Sequence, residues 1–157
     1  MEAGEPIIEG STYVSPLAEV FGDMYIGERS FVAGNTVLRA HPGERLTIGS
    51  ETNAQDNIIL RSFNTSTYVA DRTSLAHHAV IRDSEIGNFA FVGFLAEVID
   101  SEVGEGALVS AHALVEGEDT RGRPDLSGPG DNDSEASRRL ADRLGGRGGV
   151  QARGTRR

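Results

Sequence analysis

The sequence predicts an all-β fold, a prism of five to six stacked triangular coils, over residues 1–117 of 157. Three observations carry that expectation. Aliphatic residues recur at every sixth position, which fits neither a lone helix (about 3.6 residues per turn) nor a lone strand (a period of about 2). The spacing fits a short strand and a tight turn used three times per coil, the signature of a solenoid. Small residues follow four positions behind many of those aliphatics: Ala18, Ser30, Thr36, Thr52, Thr73, Ala79, Ala90, Ala96, Ala107 and Ala113. A narrow prism needs such a residue where the chain turns each corner. Finally, Gly27, Gly49, Gly87 and Gly104 follow the aliphatic that opens a coil, where backbone freedom helps the turn.

In chain order, Ile8, Val14 and Val20 are the inward residues of the first coil, and Ile26, Val32 and Leu38 those of the second. The period then breaks at 39–47 and returns at Ile48, Ala54 and Leu60. It breaks again at 61–68 and resumes with Val69, Leu75 and Ile81, then Ile86, Val92 and Val98, then Val103, Val109 and Val115. The steps from Ile81 to Ile86 and from Val98 to Val103 are five residues. Met24 and Ile58 are bulky exceptions at the small-residue position. Evenly spaced strands of a β-sandwich are the alternative, but this many positions in register argue against it. A solenoid accepts insertions at its corners, so each interruption is read as a corner loop, with Pro42-Gly43 as a turn signal. Corner loops build sites or are inert bulges, and both readings stay open. The outer faces of parallel sheets need cover, so self-association is expected.

Residues 118–157 form a Gly/Arg-rich tail that should be mostly disordered. Within it, 134–144 looks weakly helical, with Ser134 as N-cap and Gly145-Gly146 as the stop. Charge divides at the same place. All 15 basic residues are Arg; six lie in the first 117 residues, among 17 acids. Such a body repels phosphate backbones, which argues against nucleic acid as a partner. The absence of Cys excludes disulfide scaffolds, zinc ribbons and Cys nucleophiles. No apolar run is long enough to span a membrane, and the acidic start carries no basic leader, so a cytoplasmic protein is expected.

Two short stretches point further: Asn53-Ala54-Gln55-Asp56-Asn57 and Ser74-Leu75-Ala76-His77-His78. With Gly93-Phe94 and Val103-Gly104-Glu105-Gly106, they resemble the γ-class carbonic anhydrases and a related carboxysome assembly domain over about residues 7–117. The resemblance implies a left-handed β-helix of hexapeptide repeats and a homotrimer. It also implies a metal held between subunits by three His, two from one subunit and one from its neighbour. The matching positions here are Arg61, His77 and Arg82, so only His77 keeps the ligand. Zinc needs about three lone-pair donors and an open water position. A guanidinium offers no lone pair and a fixed positive charge. Without a metal, bound water keeps its high pKa and no hydroxide forms near neutral pH. No cofactor is therefore expected, and zinc only if another ligand such as His41 substitutes.

The resemblance further assigns Gln55 to orienting the bound water, and Arg39 with Asp56 to an intersubunit salt bridge. His41 stands where an acid is usual, and His78 should point away from His77 on the same strand. Three function classes remain. The first is a trimeric structural or anion-binding module without zinc chemistry, in which Arg39, Arg61, Arg82 and His77 take bicarbonate, carboxylate or phosphate. In the blander form of this reading, Arg61 and Arg82 merely pair with acids across the interface. The second is an active carbonic anhydrase using Gln55 and His77 with altered ligands. The third is a hexapeptide acyltransferase with His77 or His112 as general base, although His112 reads more readily as a buried or edge structural residue.

Overall fold

The computed structural model describes residues 4–119 and 125–126. All regular structure among them is β, and no helix there is long and apolar enough to cross a membrane. The strands group as six coils of three. The first coil is β1 (Pro6–Ile8), β2 (Tyr13–Val14) and β3 (Glu19–Phe21); the second is β4 (Met24–Ile26), β5 (Phe31–Val32) and β6 (Val37–Ala40). The third holds β7 (Leu46–Ile48), β8 (Asn53–Ala54) and β9 (Ile59–Ser62), and the fourth β10 (Thr67–Val69), β11 (Ser74–Leu75) and β12 (Val80–Arg82). Then come β13 (Glu85–Ile86), β14 (Phe91–Val92) and β15 (Glu97–Ile99), and finally β16 (Glu102–Val103), β17 (Leu108–Val109) and β18 (Leu114–Glu116). A last short strand, β19 (Asp125–Leu126), follows.

Each strand pairs in parallel with its counterpart one coil away. This makes three sheets: A from β1 to β16, B from β2 to β19, and C from β3 to β18. The inward aliphatics read from the sequence all fall on strands. From Ile26 to Val115 they are buried and form one continuous core. In the first coil Ile8 is exposed and Val14 and Val20 only half-buried, because that coil has no neighbour beneath it. The repeat also runs past Gly117. Asp119 bridges to Glu102 and β19 pairs with β17, so pairing goes one step beyond the aliphatic period. The expected helix at 134–144 lies outside the described residues.

The corners show why small residues were needed. Ser30, Thr52 and Thr73 form a buried hydroxyl ladder: Ser30 Oγ donates to Gly49 O (2.8 Å), Thr52 Oγ1 to Ala70 O (2.8 Å) and Thr73 Oγ1 to Gly87 O (3.2 Å). The reason given above for the coil-opening glycines is corrected. Gly27, Gly49 and Gly87 do not hold positive φ; a Cβ there would lie 2.3–2.9 Å from atoms of the next coil. Close coil-to-coil approach requires them. Positive φ falls instead on other turn positions, on Gly22, Gly43, Gly106 and Gly117 and on non-glycine residues including Arg29, Glu51, Arg72, His78 and Asp83. The amides of these non-glycine residues bond to the coil before, as in Arg72 N–H to Ser50 O (2.9 Å), and this repeated bond offsets the local strain.

Both interruptions sit at the corner between sheets C and A, one above the other. They are narrower than the broken period suggests, because β6 and β9 extend to Ala40 and Ser62 and only 41–45 and 63–66 leave the strands. The loops are tied together: Arg45 N–H donates to Ser66 Oγ (3.0 Å), and Ser66 Oγ donates to Glu44 (2.9 Å).

Candidate functional site

The two extended strands place Arg39 and Arg61 on neighbouring rungs of sheet C, and Arg82 follows on the next. Adjacent strands lie about 4.8 Å apart, so three like charges stack on one outward column. In the rungs on either side the column continues as Phe21 and Ile99. Each guanidinium has a different environment. Arg39 pairs with Glu19 and lies over the Phe21 ring, 5.7 Å from its centroid. Arg82 Nε is 3.6 Å from Asp83 Oδ2. Arg61 has no carboxylate partner among the described residues. Its Nη2 donates to His41 Nε2 (3.4 Å), and its guanidinium lies 5.8 Å from the Phe63 centroid. All three Nε–H groups are buried without an acceptor.

His41 is therefore committed. Arg can only donate, so the contact is a hydrogen bond in the tautomer whose Nε2 carries no proton. The ring also packs edge-on against Phe63, with centroids 4.4 Å apart.

The second group lies at the other end of sheet C, in the turns between sheets B and C. His77 Nδ1 is 3.5 Å from Asp56 Oδ2, and its ring stacks on Phe94 at 5.8 Å and 14°. Gln55 Oε1 accepts the His77 backbone N–H (3.2 Å). Two expectations are corrected here. His77 and His78 occupy a turn after β11 rather than a strand, and His78 is an exposed residue with φ 62, so strand alternation does not separate them. His112 is likewise an exposed turn residue, at φ 63.

Within one chain, then, Arg39, Arg61, Arg82 and His41 come together, and His77, Gln55 and Asp56 come together. The two groups stay on opposite edges of one sheet. No three His, Asp or Glu among the described residues cluster as metal ligands. Sequence reasoning missed Phe21, Phe63, Glu19 and Asp83, and gave Phe94 no contact with His77. Phe63 stands two positions after Arg61, and an Asp directly after Arg82 suits a left-handed turn, but neither signal names a partner.

No protein-family model matches the chain. It is 32% identical over 123 residues to a carboxysome assembly protein from Nostoc, covering 71% of this chain and 22% of that protein. Against a mitochondrial gamma carbonic anhydrase of Arabidopsis thaliana it is 33% identical over 117 residues, covering 70% of this chain and 40% of that one. A crystal structure of a hexapeptide transferase family protein from Anaplasma phagocytophilum shares the fold. It superposes with a TM-score of 0.56 at 24% identity, covering 72% and 74% of the two chains. The chain thus spans less than half the length of the two curated relatives. Its coil stack and parallel sheets make it a β-solenoid that is similar to γ-carbonic-anhydrase-like proteins and shares the fold of hexapeptide-repeat proteins.

Proposed function

We propose that this chain is a homotrimeric, metal-free member of the γ-carbonic-anhydrase-like family, whose Arg39–Arg61–Arg82 column binds a small carboxylate-type anion at the subunit boundary. One observation carries the reading: three cations on consecutive rungs have two carboxylates between them, and Arg61 is left with an imidazole nitrogen and a ring face. A guanidinium fork matches a carboxylate or bicarbonate edge, and such charge-assisted bonds are about twice as strong as neutral ones. The Nε–H groups are buried, so the outward Nη groups of the column are the donors an anion would meet.

The donor set does not fit zinc. Arg61 and Arg82 stand at the ligand positions the resemblance implies, and neither has a lone pair to give. No step through metal-bound water is derived for this chain. The trimer rests on two features. Val37, Ile59 and Val80 form an apolar row beside the arginines on the outer face of sheet C, with Ile59 37% exposed. In addition, the arginine group and the His77–Asp56–Gln55 group occupy opposite edges of that sheet, so only a second copy can bring them face to face.

Metal analysis and a CO2 hydration assay on the purified full chain test the reading. Expected are no stoichiometric zinc, no turnover, and a trimer by light scattering. Bicarbonate or acetate should raise the melting temperature through RT ln(1 + [L]/Kd), about 2.7 kcal/mol at a hundredfold excess over Kd. Zinc near one per subunit with turnover would overturn it. The double substitution Arg61→His and Arg82→His should create zinc binding that the native chain lacks, since it returns imidazoles to two of three ligand positions.

A further inference from the structure

Asp83 connects the arginine column to the corner loop of the preceding coil. It occupies the short corner after β12, at φ 52, with its side chain 3% exposed. Oδ1 accepts three backbone N–H groups of the second corner loop: Phe63 (2.6 Å), Asn64 (3.0 Å) and Thr65 (3.3 Å). Oδ2 faces Arg82 Nε at 3.6 Å and Asn64 Nδ2 at 3.5 Å. One carboxylate therefore does two separable jobs. It holds the loop that carries Phe63, the ring against both His41 and Arg61. It also cancels the charge of one arginine.

We propose that Asp83 is the positioning residue that makes this site select singly charged, carboxylate-type anions over doubly charged ones. The inference rests on the anion-binding reading above and adds the substrate class to it. Three fixed cations face two fixed anions, Glu19 and Asp83, which leaves one uncompensated positive charge, at Arg61. A monoanion closes that balance. A dianion leaves an excess negative charge at a column already flanked by Glu19 and Asp83. Like charges brought together in a half-buried setting oppose binding.

The two jobs can be separated by substitution. Asp83→Asn keeps a side-chain oxygen for the three N–H groups and removes the charge; Asp83→Ala removes both. Acetate and sulfate are titrated into the full-length chain, and amide exchange is followed at residues 63–65. The native protein should bind acetate more tightly than sulfate. In Asp83→Asn the ratio of the two dissociation constants should move roughly tenfold toward sulfate, with protection at 63–65 retained. Asp83→Ala should lose that protection and weaken both anions; if it fails to fold, the Asn variant alone decides. Acetate binding with an unchanged ratio in Asp83→Asn overturns the role of Asp83 and leaves the anion site standing. A native protein that binds neither anion overturns both.

Discussion

Two columns of arginine run up this prism, and they are built on opposite rules. At the corner between sheets A and B, Arg29, Glu51 and Arg72 stack on successive coils with alternating sign. Glu51 accepts from Arg29 Nη2 (2.9 Å) and from Arg72 Nε (3.2 Å), and Arg72 caps the row 5.5 Å over Phe89. On sheet C, Arg39, Arg61 and Arg82 stack with one sign, and their Nε–H groups are buried without acceptors. The repeat supplies the same spacing in both places. Where a ladder serves only the fold, a carboxylate sits between the cations. Where it does not, like charges on neighbouring rungs cost stability unless something outside the chain offsets them.

The sharpest structural test of the self-satisfied corner is Gly49, beneath Arg29 and Glu51. A Cβ there would lie 2.7 Å from the Ala70 carbonyl carbon and the Asp71 amide, both backbone. Gly49→Ala should therefore destabilise the protein by about 2–3 kcal/mol in denaturant melts. Gly106 makes the contrast. It holds φ +66 with open space around it, so Gly106→Ala pays only the left-handed penalty, about 1 kcal/mol. Equal losses at the two sites would show that coil approach is not what selects glycine at the corner.

The like-charge column is tested by removing its middle member. Arg61→Leu relieves two neighbour repulsions and extends the apolar row of Ile59 and Val80. In anion-free buffer it should raise stability by about 0.5 kcal/mol, a figure held low by solvent screening at these half-exposed groups. It should also abolish stabilisation by acetate or bicarbonate. A variant that is less stable without anion and keeps the anion effect would make Arg61 structural glue rather than a binding group.

The contrast also marks what could be read from the chain alone. A six-residue period names one inward residue per strand, and every such residue from Ile26 to Val115 is buried in the core. Register between coils follows from the same period, so the stacking of Arg39, Arg61 and Arg82 was legible once the two insertions were placed at a corner. Partners were not. Whether Glu19 or Asp83 reaches an arginine depends on how far β6 and β9 extend before their loops, which the aliphatic spacing does not encode. The His77–His78 turn was misread for a related reason. The period locates Leu75 but not the point where the strand stops. The glycine columns were visible with the wrong cause attached, because closeness between coils leaves no trace in a single coil's sequence.

The smallest expected effect belongs to Glu51. Hydrogen bonds from Arg29 and then Arg72, with the Arg72 charge beside it, hold its carboxyl below the usual range. A lowered folded-state value means that Glu51 contributes stability above its unfolded value, and that this contribution is lost as pH falls through the folded one. Glu51→Gln should therefore melt slightly lower than the native protein at neutral pH and converge with it in acid. Salt should shrink the difference, since the whole ladder is solvent-exposed. The same substitution leaves Arg29, still 3.4 Å from Glu28, and Arg72 on either side of a neutral amide, one step toward the like-charge stack of Arg39, Arg61 and Arg82. If acetate then began to stabilise the variant at that corner, an unneutralised arginine stack would be sufficient for anion binding anywhere on this prism. If it did not, the His41–Phe63 wall beside Arg61 is required as well.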